Sequence, residues 1–283
     1  MNEKFRVITV CSTTGFAQVL TDPAYWNQIV VFTHPHIGLY DYRSELWQSG
    51  LITVAGVVAH YISPSWKDWL SRQNVPYAQS LKNLKPVGRE FNLTGAECIK
   101  PQSLILWDFG NKAGIQRAFE TRGVLVCTVS KDQNPLEVQD CLGYVLSSGP
   151  GDPRDYKSHL PTIRTMLELK PVMAICLGHQ LLGMALGLKA EKMESGHHGS
   201  HFPVTDILRD KTAITAQNHS YNINTRLVKP PWQIRFVNLN DGSLEGLYEP
   251  EWGHVSTQFH PEGEPGPQDF FYLIDEYVHR ICS

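Results

Sequence analysis

The run VMAICLGHQLLGMALG, from Val172 to Gly187, constrains the fold of this chain more than any other stretch. Val172 to Ile175 are consecutive apolar residues of strand length, and beyond Gly178 the residues Leu181, Leu182, Ala185 and Leu186 return at helical spacing. Cys176 stands where one pattern becomes the other. A side chain held on a sharp strand-to-helix turn projects from the sheet, and small residues two before and two after it, Ala174 and Gly178, let neighbouring backbone come close. The same turn is a helix N-terminus, where unpaired N–H groups and the helix dipole favour a thiolate. A lone cysteine in an apolar run is ordinarily a small core residue, so a catalytic reading of Cys176 requires a base.

Nucleophile and base assemble in space rather than along the chain. The best candidate base lies in STQFHPE, Ser256 to Glu262. Ser256 to Phe259 alternate like a strand that Pro261 ends, which leaves His260 and Glu262 at its exit. Glu262 then supplies the third member of a Cys-His-Glu triad, orienting the imidazole and stabilising it when protonated. His219, in QNHSY at another expected strand end, is the rival base. No carboxylate follows it two residues on, and a hydrogen-bonded turn histidine accounts for it.

The rest of the chain divides by pattern. Residues 1–100 have β character: Phe5 to Val10, Gln28 to Thr33 and Ile52 to Tyr61 read as strands, and Ser65 to Gln73 as a short helix with Trp66, Trp69 and Leu70 on one face. A boundary is expected near the end of the weakly periodic segment Ser80 to Glu97, which makes residues 1–100 a smaller N-terminal domain. Residues 101–283 alternate: strand Leu104 to Asp108, helix Lys112 to Thr121, strands Val124 to Val129 and Gly143 to Ser148, and helix Lys157 to Leu169, before the Cys176 strand. Further strands are expected at Phe202 to Ile207, Ala213 to Gln217, Ile234 to Val237, Leu244 to Tyr248 and Val255 to Phe259, with a last helix over Asp269 to Arg280. Alternation of this kind predicts an α/β fold, a mostly parallel sheet flanked by helices, with ligands outside the carboxyl ends of its strands.

The loop Ser148-Gly149-Pro150-Gly151-Asp152-Pro153 follows one of those strands. Taken alone it is an ordinary Gly/Pro turn. Its glycines would also let backbone N–H groups approach a ligand, as an oxyanion hole or a carboxylate cradle requires. Neither phosphate-loop pattern, G-x-x-x-x-G-K-[ST] nor G-x-G-x-x-G, is present.

Composition narrows the rest. A net charge of −3 over 283 residues gives no basic footprint, so nucleic acid is not an expected partner. No apolar run is long enough for a membrane span, and MNEKFRVITV is too short in apolar residues for a secretory signal, so a cytoplasmic location is expected. Cys11, Cys98, Cys127, Cys141, Cys176 and Cys282 lack metal-site spacing and read as free thiols. His197, His198 and His201 invite a zinc site, but no cysteine or carboxylate of the usual spacing accompanies them, and no metal is expected.

Ile-Cys-Leu-Gly-His-Gln followed far along the chain by Gln-Phe-His-Pro-Glu resembles the class I (triad) glutamine amidotransferases. LTDPAY with QIV, THPHIG, Leu146 to Pro153, KMESGHHGSHFP, Thr215 to Tyr221 and QFHPEGEPGPQD are similar to one branch, the glutaminase (small) subunit of carbamoyl-phosphate synthetase. The resemblance implies a flavodoxin-like amidotransferase domain, Cys176 as nucleophile, His260 as base and Glu262 as its orienter. It also implies glutamine binding at Gly149, Gly151, Leu177, Gln180, Asn218, Ser220 and Tyr221, with the Gly151 and Leu177 N–H groups at the oxyanion or the bound amide. The expected reaction is hydrolysis of L-glutamine to glutamate and ammonia through a glutamyl thioester. No cofactor is expected in this chain, and ATP only on a large synthetase subunit that uses the ammonia. The alternatives are a free-standing amidotransferase of a specialised pathway with another acceptor, or a binding or regulatory protein with little turnover. The family usually has serine at Ala24 and glycine at Ala174 and Ser220, and its N-terminal domain is longer. Loss of the hydroxyl at Ala24 bears on glutamine affinity.

Overall fold

The computed structural model describes residues 5–40, 42–89, 102–138, 140–225 and 228–283. Cys98 and the boundary expected near residue 100 lie outside the described residues. In chain order the first part contains β1 (Val7–Val10), α1 (Phe16–Thr21), β2 (Ile29–Phe32), β3 (His36–Ile37), β4 (Gly56–Val58), β5 (Tyr61–Ile62), α2 (Pro64–Arg72) and β6 (Tyr77–Ala78). The second part contains β7 (Leu104–Asp108), α3 (Ala113–Glu120), β8 (Val126–Ser130), β9 (Gly143–Leu146), α4 (Leu160–Leu169), β10 (Val172–Ile175) and α5 (Leu177–Ala185). It ends with β11 (Ala190–Asp206), β12 (Lys211–Ile223), β13 (Gln233–Asn238), β14 (Leu244–Glu249), β15 (His254–Thr257) and α6 (Tyr272–Cys282).

The larger sheet runs β12-β11-β13-β14-β15-β10-β9-β7-β8. The five strands from β15 to β8 are parallel to one another, and β14, β13, β11 and β12 continue it antiparallel. The parallel strands are uninterrupted apolar runs because both faces are covered. Along β7, Ile105 and Trp107 pack with Leu177 and Leu181 of α5 and Met166 of α4, while Leu104 and Leu106 pack with Ile115 and Phe119 of α3 and Leu273 and Ile274 of α6. Chain order reverses about β7, with β8 on one side of it and β9 on the other, and the carboxyl ends of the strands there form a ready crevice.

The first part builds its own sheet, β1-β2-β4-β6, all parallel, with β3 and β5 as a separate pair. The strand expected over Ile52 to Tyr61 is only Gly56–Val58, and α1 was not foreseen. Trp66, Trp69 and Leu70 are buried, as their spacing requires of α2.

Three other expectations change. The α-helix read from Lys157 starts at Leu160, after a 3-10 turn over Pro153–His159, because Pro161 has no N–H and is tolerated only in the first turn. The hairpin β11–β12 is far longer than Phe202 to Ile207 and Ala213 to Gln217. Its outer half is polar, and two register shifts, between Lys192 and His197 and between Gly199 and Phe202, break the two-residue alternation that marks a strand. The last helix is displaced to Tyr272–Cys282. No disulfide joins the described cysteines, and no described helix is long and apolar enough to cross a membrane.

Candidate active site

Parallel strands that end on one rim of the large sheet each deliver part of a single cleft. Cys176 follows β10 with φ 56° and ψ −106°, a conformation L-residues rarely adopt and one that costs about 1–3 kcal/mol. The surrounding backbone holds it there: Cys176 N–H donates to Thr257 O (2.7 Å), Gly178 N–H to Ser147 O (3.0 Å) and Gln180 N–H to Cys176 O (3.2 Å). A Cβ at position 178 would stand 2.3 Å from Leu146 O, so the close approach needs glycine. The buried Cys176 thiol points its hydrogen at Asn218 O, 3.7 Å away.

His260 lies just beyond β15, its N–H bonded to Ala216 O (3.0 Å). Its ring Nδ1 is 2.7 Å from Glu262 Oε1, so the carboxylate fixes the proton on Nδ1. Nε2, the nitrogen left to exchange a proton, is buried with no hydrogen-bond partner. Lys112 Nζ donates to the same Glu262 oxygen at 2.9 Å and lies 3.5 Å from Nδ1. Burial and the Lys112 charge press the His260 pKa down. The Glu262 carboxylate, the neighbouring Cys176 side chain and the hydrogen bond that Glu262 accepts outweigh them and raise it to about 9. Burial opposes ionisation of Glu262, yet the Lys112 and His260 charges hold it well below the usual carboxylate range. Lys112, also wholly buried, keeps its charge against desolvation through Glu262 and Asp22.

The loop after β9 forms the facing wall. A Cβ at Gly149 would meet Phe109 O at 2.4 Å, and Gly151 has φ 98°, so both positions demand glycine and bring bare backbone to the cleft. Leu177, first residue of α5, has its N–H among those a helix cannot pair internally. Gln180 Nε2 is tied to Tyr221 O (2.8 Å) and Gln258 Oε1 (3.0 Å). Tyr221 Oη donates to Asp152 Oδ2 (2.8 Å), whose pKa the Arg154 hydrogen bonds lower to about 2. Ser220 Oγ is 3.3 Å from His198 Nε2, and Asn218 Nδ2 is buried without a partner.

Gly149, Gly151, Cys176, Leu177 and Gln180 thus share a pocket with Asn218, Ser220 and Tyr221. His260 opens onto an adjoining recess beside Lys112 and Asp22. Of the site residues expected from the sequence, eight line this pocket, His260 lines the recess beside it, and Glu262 is buried behind His260, bonded to its Nδ1. His219, the rival base, lines the pocket too, but its ring is occupied by Tyr221 O (2.9 Å) and Gln217 Oε1 (2.9 Å).

Sequence reasoning missed Lys112, Asp22 and the contribution of Arg6 and Gln28, which reach the pocket from the first part of the chain beside Ala24, the position at which the resemblance implied a contact to glutamine. The only local signal for Lys112 was its place just past the carboxyl end of a buried strand. Asp22 accepts the Ala24 N–H (2.8 Å), and burial raises its pKa against the pull of Lys112 and His260.

Comparison with known proteins gives two family matches: glutamine amidotransferase class-I over residues 105–280, and the carbamoyl-phosphate synthase small chain CPSase domain over residues 3–87. The arginine-specific small chain of carbamoyl phosphate synthase from Geobacillus stearothermophilus is 35% identical, covering 97% of this chain and 90% of its own. The small chain from Archaeoglobus fulgidus is 29% identical over 97% of this chain and 91% of its own. A Thermoplasma acidophilum structure described as a GMP synthase subunit superposes with a TM-score of 0.54 at 19% identity, covering 65% of this chain and 94% of that one, which speaks to fold alone.

Proposed function

The chain belongs to the class I glutamine amidotransferases, with a carbamoyl-phosphate synthase small-chain domain ahead of the amidotransferase domain, and on that premise we propose that Cys176, His260 and Glu262 hydrolyse L-glutamine for an ATP-using synthetase partner. The observation that carries this reading is a strained Cys176 on a pocket walled by Gly149, Gly151 and Leu177, with a Glu262-bound His260 in the recess beside it and Asn218 lining both.

The reaction then follows from the groups present. The Cys176 thiol gives its proton to His260 Nε2, and the thiolate attacks the side-chain amide carbon of glutamine. The oxyanion that forms is met by N–H groups of Leu177 and the Gly149–Gly151 loop, and Glu262, itself anchored by Lys112, keeps the imidazolium and its ring plane in place. Collapse breaks the C–N bond while His260 Nε2–H protonates the departing nitrogen. Ammonia leaves and a glutamyl thioester remains on Cys176. Water, giving a proton to His260, attacks the thioester; glutamate departs and the sulfur is restored. Arg6 at the pocket wall complements the α-carboxylate of the substrate, and the unpartnered Asn218 Nδ2 supplies a further donor. Ala24 offers no hydroxyl there. Phosphorylation chemistry with ATP and the use of ammonia for carbamoyl phosphate fall to the partner, by analogy with the relatives named as small chains.

Incubating the purified chain with glutamine, alone and with a synthetase large chain from the same cell, tests the reading. Glutamate formation is expected, faster with the large chain present, and Cys176→Ala should lower it by about 10³-fold or more. Turnover unaffected by Cys176→Ala would remove the proposed nucleophile.

A further inference from the structure

Beside the glutamine pocket, which His219 also lines, a second group of buried side chains is arranged for a different purpose. His197 on β11, His219 on β12 and Glu245 on β14 are all buried, and each offers one donor atom such that these atoms lie within 4.8 Å of one another. None belongs to the proposed triad. We propose that His197, His219 and Glu245 bind a divalent transition-metal ion, zinc by the nature of the donors, which pins the β11–β12 hairpin to β14.

The tautomers follow from the neighbours. His219 Nδ1 faces Tyr221 O at 2.9 Å, and a carbonyl only accepts, so Nδ1 carries the hydrogen and Nε2 turns a lone pair inward. His197 Nε2 faces Asp241 Oδ2 at 3.0 Å, so its hydrogen is there and Nδ1 turns a lone pair to the same point. What both lone pairs meet is Gln217 Oε1, at 2.9 Å and 2.7 Å. Reversing the Gln217 amide has a cost: its Nε2 donates to Thr215 Oγ1 (3.0 Å), whose hydrogen, now on Phe202 O (2.9 Å), would have to leave that carbonyl. Three acceptors thus converge, with Asn238 Nδ2 a distant donor 3.5 Å from His197 Nδ1. Glu245 adds a fourth, since Asn238 Nδ2 occupies its Oε1 (3.1 Å) and Oε2 is buried with no hydrogen bond.

A proton on His197 alone satisfies its own contact and leaves the His219 Nε2 lone pair against Gln217 Oε1, while charging both imidazoles, whose ring centroids are 4.9 Å apart in a buried site, carries a large desolvation cost. A single cation relieves all of it. The outer contacts are those that metal-binding histidines make: the far nitrogen of one donates to a carboxylate, that of the other to a backbone carbonyl, and each fixes the ring with its lone pair inward. Two imidazole nitrogens with one carboxylate suit zinc and its first-row neighbours rather than magnesium or calcium, which prefer all-oxygen shells. An ion has a way in, since His197 and Asp241 line an open groove together with Lys192 and Asn240. Its effect on the pocket is positional, because His219 is the direct neighbour of Asn218, whose carbonyl receives the Cys176 thiol.

The full chain, freed of metal by chelator and checked for its far-ultraviolet circular dichroism, is titrated with Zn²⁺ and separately with Co²⁺. One ion per chain is expected, with Kd below about 1 μM, and Co²⁺ should give the visible bands of a low-coordinate nitrogen and oxygen site. Glu245→Gln, which keeps the shape and removes the charge, and His197→Gln should each weaken binding by about 100-fold or more, and Asp241→Asn by about 10–100-fold. Cys176→Ser should bind as the parent does, which separates this site from the proposed glutaminase. Folded parent protein that binds neither ion below about 100 μM would overturn the proposal. So would undiminished binding in both Glu245→Gln and His197→Gln, or loss of binding in Cys176→Ser, which would put the ion on the thiol.

Discussion

Lys112 is a wholly buried cation whose Nζ shares one Glu262 oxygen with His260, and it sets the balance of charge at that imidazole. With the His260 pKa raised to about 9, the imidazole keeps the proton it takes from Cys176 through neutral pH, and the alkaline limb of the glutaminase pH profile marks its loss. The Lys112 charge opposes that protonation. Lys112→Met should therefore move the alkaline limb to higher pH, by about one unit, while breaking a buried ion pair should cost about 3 kcal/mol in stability. Initial rates between pH 6 and 11 with a urea unfolding curve check both, and an alkaline limb that stayed or moved down would contradict the assignment. At this scale the sequence was readable for Cys176, His260 and Glu262, because each sits at a strand exit marked by its own neighbours. Lys112 was not, because its importance comes from Glu262, a contact across the sheet that no local pattern carries.

At the scale of elements, the turn from β10 into α5 depends on how closely α5 lies over β9. Gly178 is a helix residue, and alanine there gains about 1 kcal/mol of helix propensity. The added Cβ would stand 2.3 Å from Leu146 O and 2.8 Å from Leu146 C, backbone atoms that cannot rotate aside. The steric term, about 3 kcal/mol, exceeds the propensity. Gly178→Ala should lose about 2 kcal/mol on urea unfolding and reduce glutaminase turnover, because relief of the clash displaces Cys176 from its strained position. A variant more stable than the parent would show that helix propensity decides this position. The same contrast separates the elements that were legible from those that were not. Central strands such as β7 and β10 announce themselves as short apolar runs because both faces are buried. The polar, bulged outer half of β11–β12 does not, since its pairing rests on backbone hydrogen bonds rather than on side-chain alternation.

For the whole molecule, the two parts of the chain meet at the cleft. Gln48 O accepts Ala113 N–H (2.9 Å), Gln48 Oε1 accepts Gly114 N–H (3.1 Å), and Glu264 joins Gln48 (3.0 Å) and Arg117 across the same contact. Global stability should also depend on pH through His254, at the start of β15. Its Nδ1 accepts the Val172 N–H (3.1 Å), its Nε2 faces Leu167 O (3.1 Å), and burial lowers its pKa from 6.5 to about 4. A base depressed in the folded state binds its proton first in the unfolded one, so stability is full above pH 6.5 and falls as pH drops toward 4. The loss at pH 5 is on the order of 2 kcal/mol, and His254→Gln should flatten that part of the curve. Equal slopes for parent and variant between pH 7 and pH 5 would exclude the assignment.

By itself the amino-acid sequence determined the α/β architecture, the strand-to-helix turn at Cys176 and the exit that presents His260 and Glu262. Each of these is written in burial periodicity and turn chemistry over a few neighbouring residues. The parallel sheet of the first part, the buried Lys112 beside Glu262 and the meeting of His197, His219 and Glu245 were decided only by tertiary structure. Those depend on which strands become neighbours and in what register, and strand order is settled by packing over the whole sheet rather than by any stretch of chain within it.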